Sequence, residues 1–149
     1  MVGGQQLDME AEKAAEPLTV ASLERLHAKK TGALIAFAVD AGAIHARAPA
    51  ATRAALQRYA QALGLAFPIR DDLLDIDATA EQLGKTPGKD RAAGKATFVT
   101  LLGEAGARNR LAAVEATAIA ALDRIDARSV TGSIGVLADA ARYAARRLR

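Results

Sequence analysis

Alanine supplies about a quarter of this 149-residue chain, and no stretch alternates Val, Ile, Thr or aromatic residues as a strand would. Alanine is the best helix former, because it has no side-chain entropy to lose. Its small side chain also lets helices approach one another closely. An all-α fold is therefore expected, a helical bundle forming a single domain over residues 1–149 and long enough to bury a core. Cysteine is absent, which excludes a disulfide scaffold, a zinc ribbon and thiol catalysis. Aromatic residues make up 3% and tryptophan is missing, so base-stacking readers are disfavoured and no nucleic-acid partner is expected. No apolar run approaches the ~20 residues of a bilayer span, and no charged-then-apolar signal segment opens the chain. The expectation is a cytoplasmic protein with no stable membrane insertion.

Residues 1–13 read as a helix, and Glu16-Pro17-Leu18-Thr19 as a break, since proline disfavours helical geometry in the residue before it. A short helix from Ser22 carries Leu23 and Leu26 on one face. Thr31 is expected to cap a longer helix through Leu34, Ile35, Ala38, Val39 and Gly42. Pro49 suits the first turn of a helix from about Ala50 to about Ile76, with Leu56, Tyr59, Ala60, Leu63 and Phe67 as its apolar stripe. Pro68 falls inside that helix and should kink it near residues 64–67. Residues 78–95 are the longest polar, Gly/Pro-bearing stretch, after which helices resume over about Thr97–Leu102, Glu104–Ile125 and Val130–Arg147. The aromatics Phe37, Tyr59, Phe67 and Phe98 are expected in the core. His27 and His45 are expected in satisfied polar or helix-end roles.

The net charge of +3 is unevenly placed. Residues 1–100 hold 12 basic and 12 acidic side chains, whereas residues 101–149 hold 8 and 5, ending in Arg142, Arg146, Arg147 and Arg149. Such a tail can serve nucleic acid, a membrane surface or a phosphorylated small ligand, and the plainer reading is a solvated helix end whose cations face the negative dipole.

Asp71-Asp72-Leu73-Leu74-Asp75 is the sharpest feature. On a helix Asp71 and Asp75 share a face, and Asp72 lies about 100° away. Like charges at that spacing repel, and a divalent cation is a natural compensation. Hard oxygen donors select Mg²⁺ over zinc or copper. A solvated acidic turn anchored by Leu73, Leu74 and Ile76 would use the same residues. Lys85, Lys89 and Lys95 follow, spaced by Gly84, Gly88 and Gly94. A basic, glycine-bearing loop beside a carboxylate helix has what a diphosphate needs, namely cations for its oxygens and a backbone that can come close.

These elements, in order, resemble the trans-isoprenyl diphosphate synthases (farnesyl/geranylgeranyl diphosphate synthase, polyprenyl synthetase), and specifically the C-terminal half of that family's fold. Gly4-Gln5 with Asp8 resembles the Gly-Gln-x-x-Asp element, and Lys30-Thr31-Gly32-Ala33-Leu34-Ile35 the Lys-Thr segment. Gly64-Leu65-Ala66-Phe67 leading into Asp71-Asp72-Leu73-Leu74-Asp75 resembles the second aspartate-rich motif. Gly84-Lys85, Asp90 and Gly94-Lys95 resemble the diphosphate-binding loop, and Tyr143 with Arg147 and Arg149 the terminal basic motif.

The resemblance implies a Mg²⁺-dependent prenyltransferase. An allylic diphosphate ionises, its cation alkylates isopentenyl diphosphate, and a proton is then lost, with the released diphosphate as base. It implies Asp71 and Asp75 as the main metal ligands, Asp72 assisting, and Asp90 on metal-bound water. Lys30 and Lys85 would grip the allylic diphosphate, with Lys95 and Arg147 adding positive charge. Thr31 and Gln5 would line the cavity where the cation forms. A homodimer is also implied.

The pattern departs from the family in three places. The other aspartate-rich motif and the N-terminal basic residues are absent, Pro68 replaces a glutamine, and Thr97-Phe98-Val99 replaces Thr-Tyr/Leu-Pro. The expectation is a piece of a longer enzyme with little or no synthase activity on its own. A non-catalytic helical partner or regulatory module of a prenyl synthase is the alternative. A Mg²⁺-dependent terpene cyclase fits Gly4-Gln5 and Lys30-Thr31 less well.

Overall fold

A computed structural model gives the structure of the chain and describes residues 1–13, 18–77, 96–126 and 134–147. Among the described residues six α-helices follow one another: α1 (Val2–Lys13), α2 (Val20–His27), α3 (Ala33–His45), α4 (Ala50–Asp77), α5 (Phe98–Leu122) and α6 (Ile134–Arg146). No strand occurs among the described residues, as the alanine-rich sequence implies.

Local chemistry explains where α2 and α5 begin. Thr19 adopts extended backbone and accepts the Ser22 N–H at 3.2 Å, while the Ser22 hydroxyl accepts the Thr19 N–H at 2.8 Å. Thr97 and Thr100 repeat this reciprocal cap at the start of α5. Each pair satisfies helix-end donors that would otherwise lack partners. Gly103 interrupts α5 at φ 72° and ψ 166°, a region costly for any residue with a Cβ. The expected division between Leu102 and Glu104 is thus present as a break inside one longer element.

Thr31 does not cap a helix, contrary to expectation. The chain passes from α2 to α3 through a π-helical turn, Ala28–Gly32, with helical backbone at His27, Ala28, Gly32 and Ala33. A cap needs extended geometry, and packing against α1 and α4 holds the turn helical instead. Single π-turns of this kind are often found at functional sites.

Helix α4 is the hub, packing against α3, α5, α6 and the π-turn. Thr52, Ala55, Tyr59, Ala62, Ala66, Ile69 and Leu73 are all buried and recur every three or four residues, the signature of a helix seam. From the expected stripe Tyr59 and Ala60 are buried, whereas Leu56, Leu63 and Phe67 are half-buried. The seam is rotated toward small alanines that a search for large apolar residues passes over. Two clusters share it, one built on Leu23, Ile69, Leu73, Phe98 and Leu111, the other on Tyr59, Ala62, Leu122 and Ile125. Tyr59 is 1% exposed and its hydroxyl donates to the Leu137 carbonyl at 2.8 Å. Burial raises its pKa and keeps the phenol neutral. Pro68 is buried and does not end α4. The proline has no N–H, so the Gly64 carbonyl lacks its usual partner one turn on.

Phe98 is fully buried and His27 packs on it, ring centroids 5.7 Å apart. Phe37, expected in the core, is instead 68% exposed, and Leu34 and Ile44 are exposed beside it on α3. No described helix is long and apolar enough to cross a membrane.

Candidate metal and diphosphate site

The site is assembled around two close backbone approaches. A Cβ on Gly64 would lie 2.7 Å from the Gly32 Cα, and one on Gly4 would overlap the backbone of Lys30. Glycine at these positions lets α1 and α4 close on the π-turn that carries Lys30 and Thr31. At about 100° per residue, Gly64, Asp71 and Asp75 fall on one face of α4. The Lys30–Thr31 turn thus lies on the same side of α4 as Asp71 and Asp75, roughly 10 Å toward the helix N-terminus of Asp71 at 1.5 Å per residue.

Lys30 Nζ forms an ion pair with Asp8 Oδ2 from α1. Two elements far apart along the chain, Gly4-Gln5-Gln6-Leu7-Asp8 and Lys30-Thr31, are therefore one unit. Asp8, the acid of the Gly-Gln-x-x-Asp element, has no site role assigned from the sequence, and its pairing with Lys30 supplies one. Thr31 is half-buried in the turn, and Gln5 is exposed on α1.

The three aspartates at the end of α4 have different surroundings. Asp72 is half-buried, and its Oδ2 accepts the Phe98 N–H at 2.7 Å, tying α4 to the first turn of α5. Asp71 forms an ion pair with Arg147, just beyond α6. Asp75 is half-buried with no hydrogen-bond or ion-pair partner among the described residues. Asp77, two residues on, takes Arg70 at 3.1 Å and also pairs with Arg108. Its hydrogen bonds to Asp77, then to Glu104, hold the Arg108 guanidinium above its ordinary pKa.

Asp72, Asp75 and Ile76 form one wall of a cleft of about 610 Å³ whose other wall is Thr97, Val99, Thr100, Gly103 and Glu104. No group of three or more carboxylates or histidines able to hold a metal converges among the described residues. Magnesium does not require one, since it commonly takes one or two carboxylates, keeps waters and completes its shell with phosphate oxygens. Asp75, with Asp71 one turn away, fits that mode. Lys85, Asp90 and Lys95 lie outside the described residues. The described arginines of the basic tail are paired, Arg142 with Asp139 at 2.8 Å, Arg146 with Glu115 at 2.9 Å, and Arg147 with Asp71, while Arg149 lies outside the described residues.

The chain is a helical bundle that sets an aspartate-bearing helix beside a lysine-threonine turn, and residues 1–124 match the polyprenyl synthetase family. The chain belongs to it. A farnesyl diphosphate synthase from Geobacillus stearothermophilus is 46% identical over 112 residues, which is 75% of this chain and 37% of the relative. An FPP/GFPP synthase from Zymomonas mobilis, solved without ligand, superposes with a TM-score of 0.77 at 38% identity, over 97% of this chain and 45% of that one. A geranyltransferase from Helicobacter pylori complexed with magnesium and isoprenyl diphosphate gives 0.70 at 28% identity, again over 97% and 45%. The fold is thus that of the isoprenoid synthases, and the chain spans less than half the length of these relatives.

Proposed function

We propose that the protein is a farnesyl- or geranyl-type prenyltransferase that condenses an allylic diphosphate with isopentenyl diphosphate, and that this chain supplies one metal- and diphosphate-binding wall. The observation that carries the reading is Asp75. It is a half-buried carboxylate without a partner among the described residues, it opens into a 610 Å³ cleft, and it shares a helix face with the Lys30–Thr31 turn. Mg²⁺, when bound, would neutralise charge growing on the departing diphosphate. Asp75 and Asp71 would hold it, with Asp72 and Asp90 in support.

Lys30 is already pinned by Asp8, so its ammonium is pre-positioned for a diphosphate oxygen. Lys85 and Lys95 would add to that grip. Thr31 and Gln5 would face the cavity where positive charge develops on the allyl group. With a single aspartate-rich helix to offer, the chain alone should show little or no elongation, and near-normal turnover by the purified chain would overturn that part. The exposed Leu34, Phe37 and Ile44 support a homodimer, which a clean monomer in sedimentation at high concentration would contradict. The central test is calorimetry with inorganic pyrophosphate, with and without Mg²⁺. Heat that requires both is expected, and no heat with both present would end the proposal.

A further inference from the structure

Arg147 is fixed on every side. Its carbonyl accepts the Arg70 Nε–H at 2.8 Å, and Arg70 is itself only 8% exposed and anchored by Asp77. Its guanidinium lies 4.9 Å from the Phe67 ring centroid, and Nη2 donates to the Phe67 carbonyl at 3.4 Å. The same nitrogen pairs with Asp71, and Nε is buried without a partner among the described residues. The side chain is 16% exposed, against 62% for Asp71. A cation that grips a soluble anion needs its donor edge free. This one is stacked on an aromatic face and turned onto a carboxylate.

We infer that Arg147 is a positioning residue, a stand-in cation that holds the Asp71 carboxylate until a divalent ion competes for it. The inference rests on Asp71 and Asp75 being the metal side of the site. These two acids repel at their i, i+4 spacing, and either an arginine or a metal relieves the repulsion. Both cations draw on the Asp71 carboxylate, so each weakens the other. By linkage the effect is reciprocal: metal arriving at Asp71 loosens the Arg147 contact, and with it the end of α6, by the same factor.

The test is a Mn²⁺ titration of the full 149-residue chain without diphosphate, read from the paramagnetic resonance signal of the free ion. Arg147→Gln should tighten Mn²⁺ about fivefold, as expected for removing a competitor at a partly exposed pair. Arg147→Lys, which keeps the charge, should stay within about twofold of the unaltered chain. A second readout is amide exchange over residues 143–147, which should quicken when Mg²⁺ is added to the unaltered chain and not to Arg147→Gln. If Arg147→Gln binds Mn²⁺ equally or more weakly while Asp71→Asn weakens it, the metal reading stands and the stand-in role is wrong. If Asp71→Asn and the unaltered chain do not differ, the metal reading fails and this inference falls with it.

Discussion

Alanine at Gly64 is expected to cost about 2 kcal/mol of stability, and valine more, because an added methyl there meets backbone and not a movable side chain. Its Cβ would stand 2.7 Å from the Gly32 Cα and 3.6 Å from the Gly32 N, so α4 and the π-turn must separate. The sign is informative, since alanine is preferred over glycine inside a helix by up to ~1 kcal/mol. A methyl added at Gly42 on α3 would have nothing within 4 Å, so Gly42→Ala reports that preference alone and should stabilise the chain. Gly4→Ala should resemble Gly64→Ala, because its methyl would overlap the Lys30 backbone. Urea unfolding followed by circular dichroism compares all three. A Gly64→Ala protein as stable as Gly42→Ala would show that the turn does not pack on α4 as described. The same substitution should also weaken pyrophosphate binding, because it moves the Lys30–Thr31 turn away from the face that carries Asp71 and Asp75.

Much of this architecture can be read along the chain because its signals are local. Thr19, inside the expected break, caps the helix that follows, and Leu23 and Leu26 are buried as their spacing implies. Gly103 divides α5 where the sequence places a boundary. Thr31 fails as a cap because the deciding contacts come from Gly4 and Gly64, 27 and 33 positions away along the chain. No short window contains them. The seam of α4 escapes the pattern for a different reason: Ala55, Ala62 and Ala66 are buried for their smallness, and small residues carry little weight in an apolar stripe. Phe37 shows the converse, a large aromatic on a helix face that nothing among the described residues covers.

At the site, residue types are legible in the sequence and partners are not. The aspartate cluster reads as a cation site or a solvated turn, and the terminal arginines as an anion site or a helix end. That Arg147 meets Asp71, 76 positions away, is a product of α6 returning along α4. The described arginines of the tail, Arg142, Arg146 and Arg147, are therefore already paired, with Asp139, Glu115 and Asp71. Asp72 illustrates how a motif can hide a second role: within a cluster read as metal-binding, it joins α4 to α5 through a backbone N–H.

That division of labour leads to opposite outcomes for two neighbouring acids. Asp75→Asn removes the carboxylate that has no partner among the described residues. Stability should change by less than about 0.5 kcal/mol and can rise, since a like-charge neighbour of Asp71 is lost. Mg²⁺-dependent pyrophosphate binding should fall at least about a hundredfold, because even the loss of a group that merely supports a metal ligand costs up to that much. Asp72→Ala should do the reverse in large part. It leaves the Phe98 N–H without its 2.7 Å acceptor at the start of α5, a loss of about 1–2 kcal/mol for a half-buried, charge-assisted bond. Asp72→Asn, which keeps an acceptor oxygen, should recover part of that stability. Thermal melts and calorimetry on the three variants decide the matter. If Asp72→Asn and Asp75→Asn weaken pyrophosphate binding equally, with neither altering the melt, then both acids serve the metal and the α4–α5 tie is incidental. If Asp75→Asn binds Mg²⁺ and pyrophosphate as the unaltered chain does, the open carboxylate is surface decoration and the cleft has another purpose.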